Sequence, residues 1–178
     1  MLSKEIKKRL LQMALTCLRT PGEMRPVFSP TIPTDKELAE IKEGLKTGDI
    51  DEELLAKFFP MAYKGITQND FMEYYFTDHN RLIRGLPRYT DLGLVEWCTA
   101  HPARIVKSAG SRYEIELING RRMITDSELY PGIIAYRRLK EGDPVIVHRD
   151  KINMKISERE YGRICGLYNK GVNFHSKI

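Results

Sequence analysis

Cysteine is scarce: the chain has 178 residues and three thiols, at 17, 98 and 165. They form no C-x-x-C and no close pair, and their number is odd. A disulfide framework or a four-cysteine zinc site is therefore not expected, and the thiols should be reduced. Long apolar runs are missing too. Nothing approaches the roughly 20 apolar residues that a membrane-spanning helix needs, and the first residues lack the apolar core and small-residue cleavage site of a secretory signal. A cytoplasmic chain with no membrane partner is the expectation. Walker loop, dinucleotide glycine fingerprint, G-x-S-x-G elbow and H-E-x-x-H pair are all absent, so a turnover enzyme is not expected. There is no internal repeat and no low-complexity segment.

What is present is ordinary for a folded protein: 42% apolar and 30% charged residues, enough for one sizeable core or two small ones. The net charge of +5 is uneven, with a surplus of one before residue 90 and four after it. Such a surplus supports contact with an acidic partner or nucleic acid, but by its size it is mostly solubility.

Taken in order, the first half reads as helices. Ser3 can cap a helix with Ile6, Leu10, Met13, Cys17 and Leu18 on one stripe. Lys4, Lys7, Lys8 and Arg9 lie near its start, and the pattern favours docking on its own domain over a membrane surface. Thr20 to Thr34 holds four prolines and reads as a connector. Thr34-Asp35-Lys36-Glu37 has the capping-box form, predicting a helix over 35–47 that stops at Gly48. Asp51-Glu52-Glu53 opens a third helix burying Leu54, Leu55, Phe58 and Phe59. A fourth begins after Thr67 or Asn69 and runs to Gly85. Its aromatic cluster at 71–76 is spaced for core packing rather than base stacking, and His79 reads as a hydrogen-bonded packing residue.

Residues 86–91 read as a link, and from there the period becomes two. Strands are expected over 103–107, 112–118, 121–125, 132–139 and 144–149. Asn119-Gly120 gives the strongest hairpin signal, and Tyr113, Ile115 and Leu117 share one face. Ser157-x-x-Glu160 caps a final helix ending at Gly171, after which the tail is expected to be mobile. The expected fold is α+β: a helical domain over 1–90, then a small OB-like antiparallel β-barrel with a C-terminal helix over 91–178.

Chemistry concentrates where the period changes, at Trp97-Cys98-Thr99-Ala100-His101-Pro102. Cys98 and His101 form a C-x-x-H pair, and His148 closes a later strand of the same barrel. Sulfur and imidazole donors suit zinc or iron; the plainer reading is a cysteine near two unrelated histidines. A Cys98/His148 nucleophile pair would need a third, orienting group, and none is evident. Arg121, Arg122, Arg137 and Arg138, with Lys140, could form a positive stripe for nucleic acid. Only Tyr113 and Tyr136 are available as barrel aromatics, which favours solvated strand faces instead.

Three pieces together resemble the HypC/HupF-type hydrogenase maturation chaperones, over about residues 97–168. They are Cys98-x-x-x-Pro102 followed by Ile105-Val106; Gly142-Asp143-Pro144-Val145-Ile146-Val147-His148; and the helix start Lys155-Ile156-Ser157-Glu158. The resemblance implies an OB-like barrel with a helical tail. It also implies an accessory role in assembling a metalloenzyme, and a protein partner that is an assembly scaffold or an enzyme subunit. By that resemblance Cys98 is an iron ligand and His148 a neighbouring imidazole, with Pro102 and His101 flanking. It departs from the family in placing its cysteine in mid-chain after a helical half, which leaves a protein-interaction module without metal as the alternative to both the iron and the nucleic-acid readings.

Overall fold

The computed structural model describes residues 1–19 and 31–172. Most of the proline connector, residues 20–30, and the terminal residues 173–178 lie outside the described residues. The chain is α+β and divides into two compact units: Met1–Phe71 with Leu129–Ile133, and Met72–Glu128 with Ile134–Ile178. The change of period placed the expected domain boundary at residue 90; the compact units part at 71/72, inside helical sequence.

The first unit is helical. In α1 (Lys4–Ala14) the Ser3 hydroxyl accepts from the Ile6 N–H, and Leu10, Leu11, Met13 and Ala14 are buried; a 3₁₀ turn, Leu15–Arg19, continues it. The capping box of α2 (Asp35–Thr47) forms as expected, Thr34 and Glu37 each satisfying the other's backbone N–H. Gly48 ends α2 at φ +74°, where a Cβ would lie 2.3 Å from the Lys4 carbonyl oxygen. Only glycine permits that approach. Asp51 caps α3 (Glu52–Phe58), and Pro60 opens α4 (Pro60–Gln68). Glu52 ties these pieces together by accepting from the Tyr63 hydroxyl and the Leu2 N–H, both at 2.8 Å, and pairing with Lys7 at 3.3 Å. The Tyr63 hydrogen bond, foremost, holds its carboxyl below the usual range.

The predicted fourth helix is present in three consecutive pieces: α5 (Phe71–Glu73), a π-helical turn (Tyr74–His79) and α6 (Asn80–Gly85). Tyr74, Tyr75, Phe76 and His79 are buried, as their spacing predicted. The expected link after Gly85 holds a short helix instead, α7 (Pro87–Asp91), and α8 (Val95–Cys98) follows. Pro87 can start a helix because its missing N–H has no partner to lose there.

The second unit's sheet has strands β1 (His101–Ala109), β2 (Arg112–Leu117), β3 (Arg122–Thr125), β6 (Pro144–His148) and β7 (Lys151–Lys155), in the order β3-β2-β1-β6-β7. Every paired neighbour is antiparallel. The Asn119-Gly120 turn joins β2 to β3, with Gly120 at φ +80°. Tyr113, Ile115 and Leu117 lie in one core with Ile105, Val145, Val147 and Ile152. The strand expected over 132–139 is cut to β5 (Ile133–Ile134), which pairs with β4 (Glu128–Tyr130) in a separate two-stranded sheet. Beyond it the chain to Leu139 is irregular. Strand β7 was not anticipated. A lone parallel bridge, Asp126 with Lys151, joins the ends of the two edge strands; the Ile152 N–H donates to the Asp126 carbonyl at 2.8 Å.

The last helix, α9 (Glu158–Val172), starts at the predicted Ser157 box: the Ser157 hydroxyl accepts from the Glu160 N–H, and the Glu160 carboxylate accepts from the Ser157 N–H. It buries Ile164, Tyr168 and Gly171. Gly171, the expected stop, lies one residue before Val172, the last described residue of the helix. It faces the π turn, where a Cβ would come 2.2 Å from the Phe76 carbonyl oxygen.

Candidate functional site

The stretch that carried the chemistry in sequence is fixed by an unanticipated residue. Asn80, fully buried at the start of α6, donates from Nδ2 to the Ala100 carbonyl at 2.9 Å and accepts from the Ala100 N–H at 2.8 Å. A side-chain amide here does what a neighbouring strand would do, satisfying both backbone groups of a residue with no exposure at all. Cys98 and His101 are thereby held on either side of a clamped point.

His101 opens β1, and both ring nitrogens are engaged. Nε2 lies 3.0 Å from the Glu96 carbonyl oxygen and Nδ1 lies 3.0 Å from the Tyr168 hydroxyl. A carbonyl only accepts, so the neutral ring carries its proton on Nε2, and its Nδ1 lone pair takes the Tyr168 O–H. Burial, foremost, lowers its pKa. No lone pair remains for a metal.

His148 ends β6 at 1% exposure. Its ring stands nearly perpendicular to that of His79, with centroids 5.2 Å apart, and Tyr75 lies 6.5 Å away. Its backbone N–H donates to Asn153 Oδ1 at 3.0 Å. Burial drives the His79 pKa down to about 4, an effect that its Asn80 hydrogen bond opposes and Arg149 reinforces. Cys98 is 4% exposed at the end of α8. Among the described residues no three His, Cys, Asp or Glu side chains are grouped to hold a metal ion. Cys98 and His148 are thus not members of any such group of three.

The two stretches nevertheless meet. The Arg149 N–H, next after His148, donates to the Trp97 carbonyl, next before Cys98, at 3.0 Å. The Arg149 guanidinium lies 4.2 Å from the centre of the Trp97 ring, a stacked cation–π contact. Arg149 and Asp150 make the β6–β7 turn at φ +55° and +58°. Neither is glycine, and such backbone costs roughly 1–3 kcal/mol per residue unless surroundings impose it. Here they do: Thr125 donates its hydroxyl to the Asp150 carbonyl, and the Trp97 side chain hydrogen-bonds the Asp150 carboxylate.

Between these groups lies a pocket of about 140 Å³, with Glu96, Trp97, His101, Arg121, Arg149 and Asp150 among its lining. Partial burial outweighs the nearby cations and raises the Asp150 pKa. Glu96 pairs with Arg84 at 2.7 Å. Sequence reasoning missed Glu96, Arg149 and Asp150. Only the adjacency of Trp97 to Cys98 and of Arg149 to His148 could have flagged them.

The four arginines expected to form a stripe are separated by role. Arg121 lines the pocket, while Arg122 is bound by Glu116 at 2.8 Å and Glu114 at 3.7 Å. Arg137 borders a wider recess of about 640 Å³ together with Asp126 and Glu128, and Arg138 is exposed. Pro102 lies in β1 opposite Ile146, and no helix among the described residues is long and apolar enough to cross a membrane. Compared with known proteins, the chain matches no family model, no curated protein and no solved structure.

Proposed function

We propose that the second unit's sheet is an OB-like barrel and that the protein is an accessory of metalloenzyme assembly, of the hydrogenase-maturation kind, docking a protein partner without turnover of its own. One observation carries this reading: the three stretches of the resemblance, scattered over some sixty residues, meet around β1. Pro102 faces Ile146 and His101 faces Val147 across the β1–β6 ladder. The Ile105 N–H donates to the Asp143 carbonyl at 3.1 Å. Arg104 grips Glu158 at the start of α9 through two bonds of 2.8 and 2.7 Å. The Asp126–Lys151 bridge between the edge strands supports the barrel reading.

Iron, in this proposal, is cargo rather than a resident cofactor. Cys98 offers one sulfur donor, and the remaining ligands come from the partner, since among the described residues no three His, Cys, Asp or Glu side chains are grouped to hold a metal ion. Anaerobic isolation of the native protein with whatever accompanies it is the test. A metalloenzyme subunit or assembly scaffold should co-purify together with iron, and Cys98→Ala should lose the iron while keeping the partner. No iron in the wild type, or equal iron in the variant, ends the metal role. A co-purifying partner unconnected with metalloenzymes ends the accessory role.

A further inference from the structure

The pocket between Trp97 and the Arg149–Asp150 turn is presented by a strained turn held from four sides, and the roles of Cys98 and His148 do not explain it. Its walls carry two carboxylates, Glu96 and Asp150, and two guanidiniums, Arg121 and Arg149. His101 faces it as a neutral ring, and Leu117, Met123 and Val147 supply an apolar wall. We propose that this pocket binds a small zwitterion, an α-amino acid with a short side chain.

Size sets the first limit. A cavity of about 150 Å³ holds benzene, so about 140 Å³ admits roughly six to eight non-hydrogen atoms. That excludes a nucleotide and fits alanine or serine. Charge sets the second. Glu96 is already paired with Arg84, so a purely anionic ligand would bring its charge against Asp150, and a purely cationic one against Arg121 and Arg149; either leaves like charges facing at close range. A ligand with an ammonium and a carboxylate a few ångströms apart satisfies both sets, and a short alkyl group meets the apolar wall.

Preorganisation is the third argument. The Arg149 N–H to Trp97, the Thr125 hydroxyl to the Asp150 carbonyl, the guanidinium over the indole and the indole bond to the Asp150 carboxylate fix both turn side chains before any ligand arrives. Ordering costs on binding are correspondingly reduced. Among the described residues Arg121 makes no ion pair, so it is the cation that a ligand carboxylate would engage.

Trp97 is the chain's single tryptophan, so its fluorescence reports on this pocket alone. The full chain is titrated with L-alanine, with alaninamide, which lacks the carboxylate, and with N-acetylalanine, which lacks the ammonium. Alanine should give a saturable change, and each blocked analogue should bind at least tenfold more weakly. Arg121→Met, at an exposed side chain, should weaken alanine at least tenfold with an unchanged circular dichroism spectrum and melting temperature; Asp150→Asn should do likewise. If Asp150→Asn does not fold, Arg121→Met decides. No saturable response in the wild type overturns the proposal, as does equal affinity for either analogue or an undiminished response in Arg121→Met. None of these outcomes depends on iron or a protein partner, so this site and the assembly role stand or fall separately.

Discussion

At the scale of single residues, burial decides protonation. His79 is 3% exposed, and its pKa falls from 6.5 to about 4. The unfolded chain takes up this proton as pH drops through 6.5, while the folded chain resists until about 4. The stabilisation from keeping His79 neutral is therefore complete above pH 6.5 and is lost progressively down to about 4, up to about 3 kcal/mol at 1.36 kcal/mol per pH unit. Melting temperature should fall from pH 7 to pH 5 in the wild type and fall less in His79→Gln; parallel curves would show that His79 does not carry this dependence. Asn80 gives a second measurable case. Asn80→Ala strands the buried N–H and carbonyl of Ala100 together, at a cost of roughly 2–4 kcal/mol by urea unfolding. A loss below about 1 kcal/mol would mean that the clamp is not needed. Glu37 is simpler: its hydrogen bond to Lys57, then its cap contacts with Thr34, hold it at about 2. A carbon-detected titration should find that midpoint, and Lys57→Met should move it up toward 4.5.

At the scale of elements, two glycines of α9 separate packing from propensity. Gly166 has nothing within 4 Å of where a Cβ would sit, whereas at Gly171 that Cβ would collide with the Phe76 carbonyl at 2.2 Å. Gly166→Ala should stabilise by about 0.5–1 kcal/mol through helix propensity alone. Gly171→Ala should destabilise by about 1–3 kcal/mol, because α9 must withdraw from the π turn. Denaturant midpoints of opposite shift would confirm the contact, and equal shifts would dismiss it. These elements also show what sequence could reveal. Local chemistry was legible: the boxes at Thr34 and Ser157, the Asn119-Gly120 hairpin and the alternating face of β2 all formed, since each is decided within a few residues. The β6–β7 turn was not, because Arg149 and Asp150 take positive φ under tertiary contacts that no local signal announces. For the same reason the chemistry of the C-x-x-H pair could not be read from its spacing. Whether His101 has a free lone pair is settled by Tyr168, 67 residues away.

At the scale of the whole molecule, charge is arranged in pairs rather than fields. The surplus of four positive charges after residue 90 invites a nucleic-acid reading, yet the strand cations are largely answered. Arg104 meets Glu158, Arg122 meets Glu114 and Glu116, Lys151 meets Asp126, and Lys155 meets Asp143. Each such carboxylate must be displaced or approached before a phosphate can take its place, which weakens the release of counterions that drives backbone binding. Of the four arginines of the expected stripe, Arg121, Arg137 and Arg138 remain exposed, though Arg137 shares its recess with Asp126 and Glu128. Three effective phosphate contacts on a single strand imply a log–log dependence of affinity on salt of about −2, at about −0.7 per phosphate. Titration of a fluorescent single-stranded oligonucleotide between low and moderate salt measures that slope. A value near −2 or shallower, or no binding at all, counts against a nucleic-acid surface. A slope of −4 or steeper, reduced by Arg137→Ala with Arg138→Ala, would mean that the ion pairs open for a phosphate backbone, and the five-stranded sheet would then have to be read as a nucleic-acid module.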